Sequence, residues 1–370
     1  AAANQIIRFT LPSNALLNLR SFAFHFTATT SSGGTGSLAR LPDGIESLIE
    51  RVEVSCGGIQ LSAGANYYNV LAKAKRALMD RHVDVVLGHP ELVRDISYVD
   101  GVQMTANEVY TGTQSQFCID SWEGFLGSAE PKILDSSLVP DMIISIYLAD
   151  NSVLANCAGV DLSGTGAADI TDVGTSTVAY ALSNIHATIE CIGLADAVYD
   201  NMIASMIASK GFLEVPFKQF YSFQDQHSGS MRFSVATQSL DRIWAVQRDD
   251  DYQAATQGAR LINGYKVAGA FVDTSAGLGT TTLDIGAPTF DVGGTLDYNK
   301  EKYTTAAFNF PEAVDNSQYQ FQLNGAYVPQ FRATFEEMCQ ISSNSILGKS
   351  QGKHSLATMK ANYAVQCIPT

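Results

Sequence analysis

Residues 45–76, IESLIERVEVSCGGIQLSAGANYYNVLAKAKR, constrain the fold more than any other stretch of this chain. An alternating apolar segment passes through the Gly57-Gly58 turn and a polar link into a Tyr-led helical pattern. Residues 177–210, TVAYALSNIHATIECIGLADAVYDNMIASMIASK, follow a similar strand-then-helix order, with Tyr199-Asp200-Asn201 where the first copy has Tyr68-Asn69. One unit used twice in a chain of 370 residues predicts two similar β-rich domains in tandem, each long enough to bury its own core.

Strand signals dominate the rest. Asn18–Thr30 alternates, is rich in aromatic and β-branched residues, and runs into the turn-forming SSGGTGS at 31–37. Leu48–Val54 alternates with Leu48, Glu50, Val52 and Val54 on one side and Ile49, Arg51 and Glu53 on the other. Gln114–Asp120 and Met142–Leu148 read as further strands, with a loop-like stretch at 81–112. The Gly-, Ser- and Thr-rich residues 156–174 read as a linker between a first domain, 1–155, and a second, 175–330. In the second domain strands are expected at 177–192, 212–223, 231–237, 243–248 and 319–323, the last followed by the Asn324-Gly325 turn. Residues 250–310 read as a long polar excursion with weak strands at 265–272 and 281–290, and 331–370 as a polar tail whose order depends on partners. Helices are expected only at 66–76, at 196–209 and from Phe335. Many short strands and rare helices predict an all-β sandwich or jelly roll.

Only 16% of the residues are charged, against the usual quarter, while 46% are hydrophobic. Such a chain has little charge with which to solvate its surface alone, so much of that surface is expected to be buried against other subunits. The net charge of −14 is unevenly spread. No acid precedes Asp43 and none follows Glu337, so Arg8, Arg20 and Arg40 leave one end basic and Lys349, Lys353 and Lys360 the other. The acidic middle argues against direct duplex binding, whereas the ends suit a phosphate-rich surface. Cysteines at 56, 118, 157, 191, 339 and 367 form no CxxC pair and read as reduced, buried thiols. The N-terminal residues lack the pattern of a signal peptide, and the longest apolar run, 142–149, is too short to span a bilayer, so a soluble chain is expected.

No residue pattern supplies catalytic, cofactor-binding or metal-binding chemistry. Gly164-Thr165-Gly166 lacks the third glycine and the lysine of a phosphate loop, and there is no HExxH or G-x-S-x-G. His25, His82, His89, His186, His227 and His354 are scattered, with His25 and His186 read as ordinary strand residues. Asp249-Asp250-Asp251 reads as a solvated charged loop, since adjacent carboxylates converge on one ion only in a tight turn. Glu50 and Glu53 fall on opposite strand faces and make a poor acid–base dyad. Trp122 and Trp244 read as core or interface anchors.

Several blocks, taken in order, resemble the double jelly-roll major capsid proteins of tailless icosahedral DNA viruses. FTLPSNALLNLRSFAFHFTATT (9–30), LPDGIESLIERVEVSCGGIQLSAGANYYNVL (41–71) and EPKILDSSLVPDMIISIYLAD (130–150) are similar to the first roll. LSNIHATIECIGLADAVYDNMIA (182–204), LEVPFKQFYSF (213–223), FSVATQSLDRIWAVQRDDD (233–251) and YQFQLNGAYVPQF (319–331) are similar to the second. The resemblance implies two eight-stranded jelly rolls with long inter-strand loops, and a homotrimer forming a pseudo-hexagonal capsomer in the virion shell. It implies contacts with neighbouring capsomers and with penton or minor capsid proteins. The basic termini would face an internal membrane or genome, and residues 331–370 would lie at the capsid base. It implies no enzymatic activity, no cofactor, no small-molecule substrate and no specific nucleic-acid recognition. The alternatives are a receptor- or carbohydrate-binding β-sandwich of spike or lectin type, and an enzyme on a bicupin scaffold, which the scattered histidines do not supply.

Overall fold

The computed structural model describes residues 1–32, 37–42, 44–62, 66–78, 115–130, 132–139, 141–158, 178–193, 196–212, 214–225, 230–237, 239–246, 289–290, 296–297, 318–347 and 365–369. In chain order the strands of the first half are β1 (Ile6–Thr10), β2 (Leu16–Ser32), β3 (Ser37–Arg40), β4 (Ile49–Cys56), β5 (Ile59–Ser62), β6 (Ser115–Ile119), β7 (Ile133–Asp135), β8 (Met142–Leu148) and β9 (Ala155–Ala158). Helices α1 (Tyr68–Ala77) and α2 (Phe125–Ser128) interrupt them. The second half adds β10 (Val178–Ile192), α3 (Asp196–Lys210), β11 (Arg242–Val246), β12 (Thr289–Phe290), β13 (Leu296–Asp297), β14 (Gln318–Leu323), β15 (Ala326–Thr334), α4 (Phe335–Leu347) and β16 (Val365–Pro369). The chain is therefore mostly β, with few helices. No described helix is long and apolar enough to cross a membrane.

Two antiparallel sheets face each other. One has the order β1-β8-β4-β5, and the other runs β10-β2-β6, with β7 also paired to β2. Pairing of the first strand with a late one, and passage of the chain between sheets, belong to Greek-key and jelly-roll sandwiches. Alternation, reset between Leu19 and Phe22 where the register with β10 shifts, explains the packing: Leu17, Leu19, Phe22, Phe24 and Phe26 of β2 turn inward onto Val52, Val54, Ile144 and Ile146 of the opposite sheet. Phe9 of β1 meets Phe22 and Phe24 edge-on, at centroid distances of 6.0 and 5.8 Å.

Local chemistry sets the corners. The β4–β5 hairpin turns at Gly57 and Gly58, φ 55° and 80°, and the β14–β15 hairpin at Asn324 and Gly325, φ 48° and 89°. Positive φ at both central residues matches the right-handed strand twist, which is why Gly-Gly and Asn-Gly occur there. Helix α4 opens on a capping box, in which the Thr334 amide donates to Glu337 Oε2 at 2.8 Å and the Glu337 amide donates to Thr334 Oγ1 at 3.4 Å. Its buried side chains, Phe335, Met338 and Cys339, face the sheets.

Several sequence expectations need correction. The alternation of β4 inverts at its start, because a register shift between Ile49 and Arg51 in the pairing with β8 buries Ile49 and exposes Glu50. Residues 214–223 and 231–237 are described without strand pairing, although their burial partly alternates. Order in the described part of 331–370 needs no partner: α4 and β16 place Phe335, Cys339, Val365 and Cys367 in the chain's own main core. Cys191, expected to be buried, is exposed, whereas Cys56, Cys339 and Cys367 are buried.

Strand β10, which opens the expected second domain, pairs with β2 from Ser32 back to Leu16. All of 79–114 and 159–177, and all of the 250–310 excursion but 289–290 and 296–297, lie outside the described residues. Among the described residues the second half contributes the two-stranded sheets β11–β16, β12–β13 and β14–β15. Ala333, Met338 and Ile368 form a small second core beside the main one, flanked by Ile243, Phe321 and Val328.

Candidate assembly surface

The residues weighed for chemistry do not converge. His82, His89, His227, His354, Gly164-Thr165-Gly166 and Asp249-Asp250-Asp251 lie outside the described residues. Glu50 is exposed, while Glu53 accepts a hydrogen bond from the Tyr147 hydroxyl at 2.7 Å and pairs with Arg51. Trp122 is a core anchor: its Nε1 donates to the Phe22 carbonyl at 2.8 Å, and its ring lies between those of Phe22 and Tyr68. Trp244 is partly buried against the same core. Among the described residues no three His, Cys, Asp or Glu side chains are placed to hold a metal ion. Burial pushes the Cys339 thiol up to about 12, with Glu336 adding to the effect. His25 and His186 do come together, stacked across β2 and β10, and the spacing of the two positions in the sequence gave no sign of it.

What the structure does gather is exposed apolar surface. Fifteen large hydrophobic side chains are exposed among the described residues, and eleven of them lie between Met202 and Phe331. Helix α3 shows why: Met202, Met206 and Ile207 are all exposed, and none of its described side chains is buried. Further along the chain Phe212, Tyr221, Phe223, Met231, Phe233 and Leu240 are exposed as well. Phe223 and Phe233 stack on each other at 4.7 Å with planes 13° apart, yet remain 44% and 48% exposed. Large apolar side chains exposed in this number, with two of them stacked on each other in the open, suit contact with another molecule.

The scaffold under this surface is held by the first half. Residues 214–225 cross the α2 corner as an extended strap. The Glu130 amide donates to Pro216 O at 2.9 Å, and the Lys218 amide donates to Ser128 Oγ at 2.8 Å. Phe217 meets Phe125 edge-on at 5.0 Å, and the Tyr67 hydroxyl bonds Gln224. Val215 and Phe217 thus turn inward against the core, while Tyr221 and Phe223 turn out. Lys218 pairs with Asp241 at 2.8 Å in the open, and that hydrogen bond holds the Asp241 carboxyl below its usual range. The strap is anchored on one side and exposes Tyr221 and Phe223 among polar residues on the other. Such a face suits packing against protein.

The described fold defines an all-β sandwich protein that exposes many large apolar side chains in its second half. No family model matches the chain, and no curated protein matches it. Among the solved structures it is similar to are viral capsid proteins. They include the quasi-atomic model of the PBCV-1 virus capsid (13% identity over 100% of this chain and 74% of that one, TM-score 0.44). Another is PBCV-1 VP54 fitted into a reconstruction of the virophage Sputnik (14%, 100% and 74%, TM-score 0.43). A third is the STIV MCP (12%, 40% and 38%, TM-score 0.23). At scores this low the likeness is one of kind and carries no argument by itself.

Proposed function

We propose that this chain is a structural capsid protein that assembles with copies of itself into the shell of an icosahedral virus. The observation that carries this reading is the concentration of exposed apolar side chains from Met202 to Phe331, on a chain with an unusually small charged fraction. A monomer with that surface would associate; a shell subunit uses it. The ordered blocks along the sequence that resemble double jelly-roll capsid proteins give the assembly its form, a trimer with a pseudo-hexagonal outline. In this reading residues 1–155 are the first roll, 156–174 the linker, 175–330 the second roll and 331–370 the base of the subunit. The acid-free ends, with Arg8, Arg20 and Arg40 at one and Lys349, Lys353 and Lys360 at the other, face the interior, toward genome or membrane headgroups. Neighbouring capsomers and penton or minor capsid proteins complete the shell. The work is geometric and needs no enzyme chemistry, cofactor or small-molecule substrate.

Size exclusion with light scattering, followed by negative-stain imaging of the peak, tests the proposal. A species of three chain masses with a hexagonal outline supports it. A monodisperse monomer at micromolar concentration overturns it and favours a receptor- or carbohydrate-binding sandwich.

A further inference from the structure

We propose that His25 and His186 form an acid-sensitive latch on the seam between β2 and β10. The two residues are register partners on neighbouring strands, and their rings stack at 4.9 Å with planes 11° apart. His186 is exposed and His25 half-buried, so both rings are open to solvent.

The neighbouring bonds show which protonation states the pair accepts. His186 Nδ1 lies 2.9 Å from the Asn184 carbonyl, which can only accept, so Nδ1 carries a proton. His25 Nε2 lies 2.9 Å from Thr188 Oγ1, which serves as donor or acceptor. Either ring can take up a proton without losing its bond. Two charged rings face to face repel.

The seam is irregular on both sides of the pair. Register shifts fall between Ser183 and His186 and again between Thr188 and Glu190, leaving His186, Ala187 and Thr188 as a short island of regular pairing with His25, Phe24 and Ala23. Asn184, at φ 50°, makes the first irregularity and ties it to Thr27 through its side-chain amide at 3.3 Å. Cys118 of β6 is the register partner of His25 on its other side, and Asp120 lies two residues further along that chain. On β10 Glu190 accepts from Asn18 Nδ2 at 2.7 Å, beyond the second irregularity, and Cys191 follows it. Neither carboxylate is a register partner of the histidine pair. The latch works within the single chain and does not depend on assembly.

Hydrogen exchange of the full-length chain, followed by mass spectrometry at pH 7.5 and 5.0 and corrected for intrinsic exchange rates, tests this. Most carboxylates stay ionised across that range while imidazoles charge. The native chain should open over 186–188 roughly fourfold more at pH 5.0, the repulsion of two unit charges at this separation in a water-like medium. His186→Gln removes one charge, and His25→Phe removes the other while keeping a stacked ring; each should cancel the difference. Equal opening of the native chain at both pH values overturns the latch, as does a pH dependence that survives in either folded variant. If His186→Gln fails to fold, His25→Phe decides alone.

Discussion

Ser342 Oγ accepts the Cys367 amide at 2.8 Å and donates to the Met338 carbonyl at 2.7 Å, all within the protein interior. A single hydroxyl therefore ties the middle of α4 to the last described strand, β16. Cys367 lies in register with Trp244 of β11, and its amide is satisfied by Ser342. Replacing Ser342 with Ala removes both of these buried hydrogen bonds. The expected cost is about 1–3 kcal/mol, read as a lower urea midpoint with an unchanged slope. Limited proteolysis should then cut first near 365–369.

Trp122 makes a second long-range tie, to the Phe22 carbonyl 2.8 Å away. Trp122→Phe keeps an aromatic ring beside Phe22 and Tyr68 but removes the donor. A loss of about 1–3 kcal/mol is expected in chemical denaturation. The remaining Trp fluorescence should come from Trp244, which is only partly buried.

Gly127 sits in the short helix α2, where a Cβ would run into the Trp122 carbonyl oxygen. The obstruction is backbone and cannot swing away. Gly127→Ala should cost about 1–3 kcal/mol by overpacking. It should also loosen the strap, because the neighbouring Ser128 hydroxyl receives the Lys218 amide. Faster exchange over 214–225 would show it.

How far the fold was legible varied with the kind of signal. Met142–Leu148 was legible to the residue as a short apolar run, and Asn18–Thr30 fell inside β2 through its aromatic and β-branched residues, because both signals are strong and local. Both hairpin turns were legible through Gly57-Gly58 and Asn324-Gly325. Residues 212–223 show the limit. Their alternation predicted a strand, but a pattern along one segment does not say whether a partner strand runs beside it. The inverted alternation at Glu50 depends on a register shift against β8, a strand far away in sequence. The His25–His186 stack likewise depends on the pairing of β2 with β10, which no short-range pattern encodes. The apolar surface was foreshadowed by the low charge fraction, although composition could not say where it lay.

Asp150 gives a pH dependence with a definite sign. Partial burial works to raise its carboxyl, but the Ser152 amide at 2.9 Å, the Asn4 side chain at 3.0 Å, the Ser152 hydroxyl and the Asn151 amide outweigh it and hold the carboxyl below the usual range. A group depressed on folding contributes stability above its unfolded value, near pH 3.9, and loses it as the pH falls through the folded value. Acid unfolding should therefore become less steep below about pH 4 in Asp150→Asn, while stability at pH 7 falls. Denaturant midpoints between pH 2.5 and 7 measure both effects.

The apolar face can be tested without disturbing the sandwich. Phe223 and Phe233 stack on each other and keep nearly half of their surface open, so little of the chain's own core depends on them. Phe223→Ser with Phe233→Ser should leave the urea midpoint of the dissociated chain within about 1 kcal/mol of the native value, since substitutions at exposed positions are mild. The same change should weaken self-association at least tenfold, because two aromatic anchors are lost from a buried contact. Sedimentation across a concentration series reads that shift directly. An unchanged association constant would move the contact between subunits away from this surface. Loss of association together with a large drop in the chain's own stability would show instead that the stacked pair holds the fold.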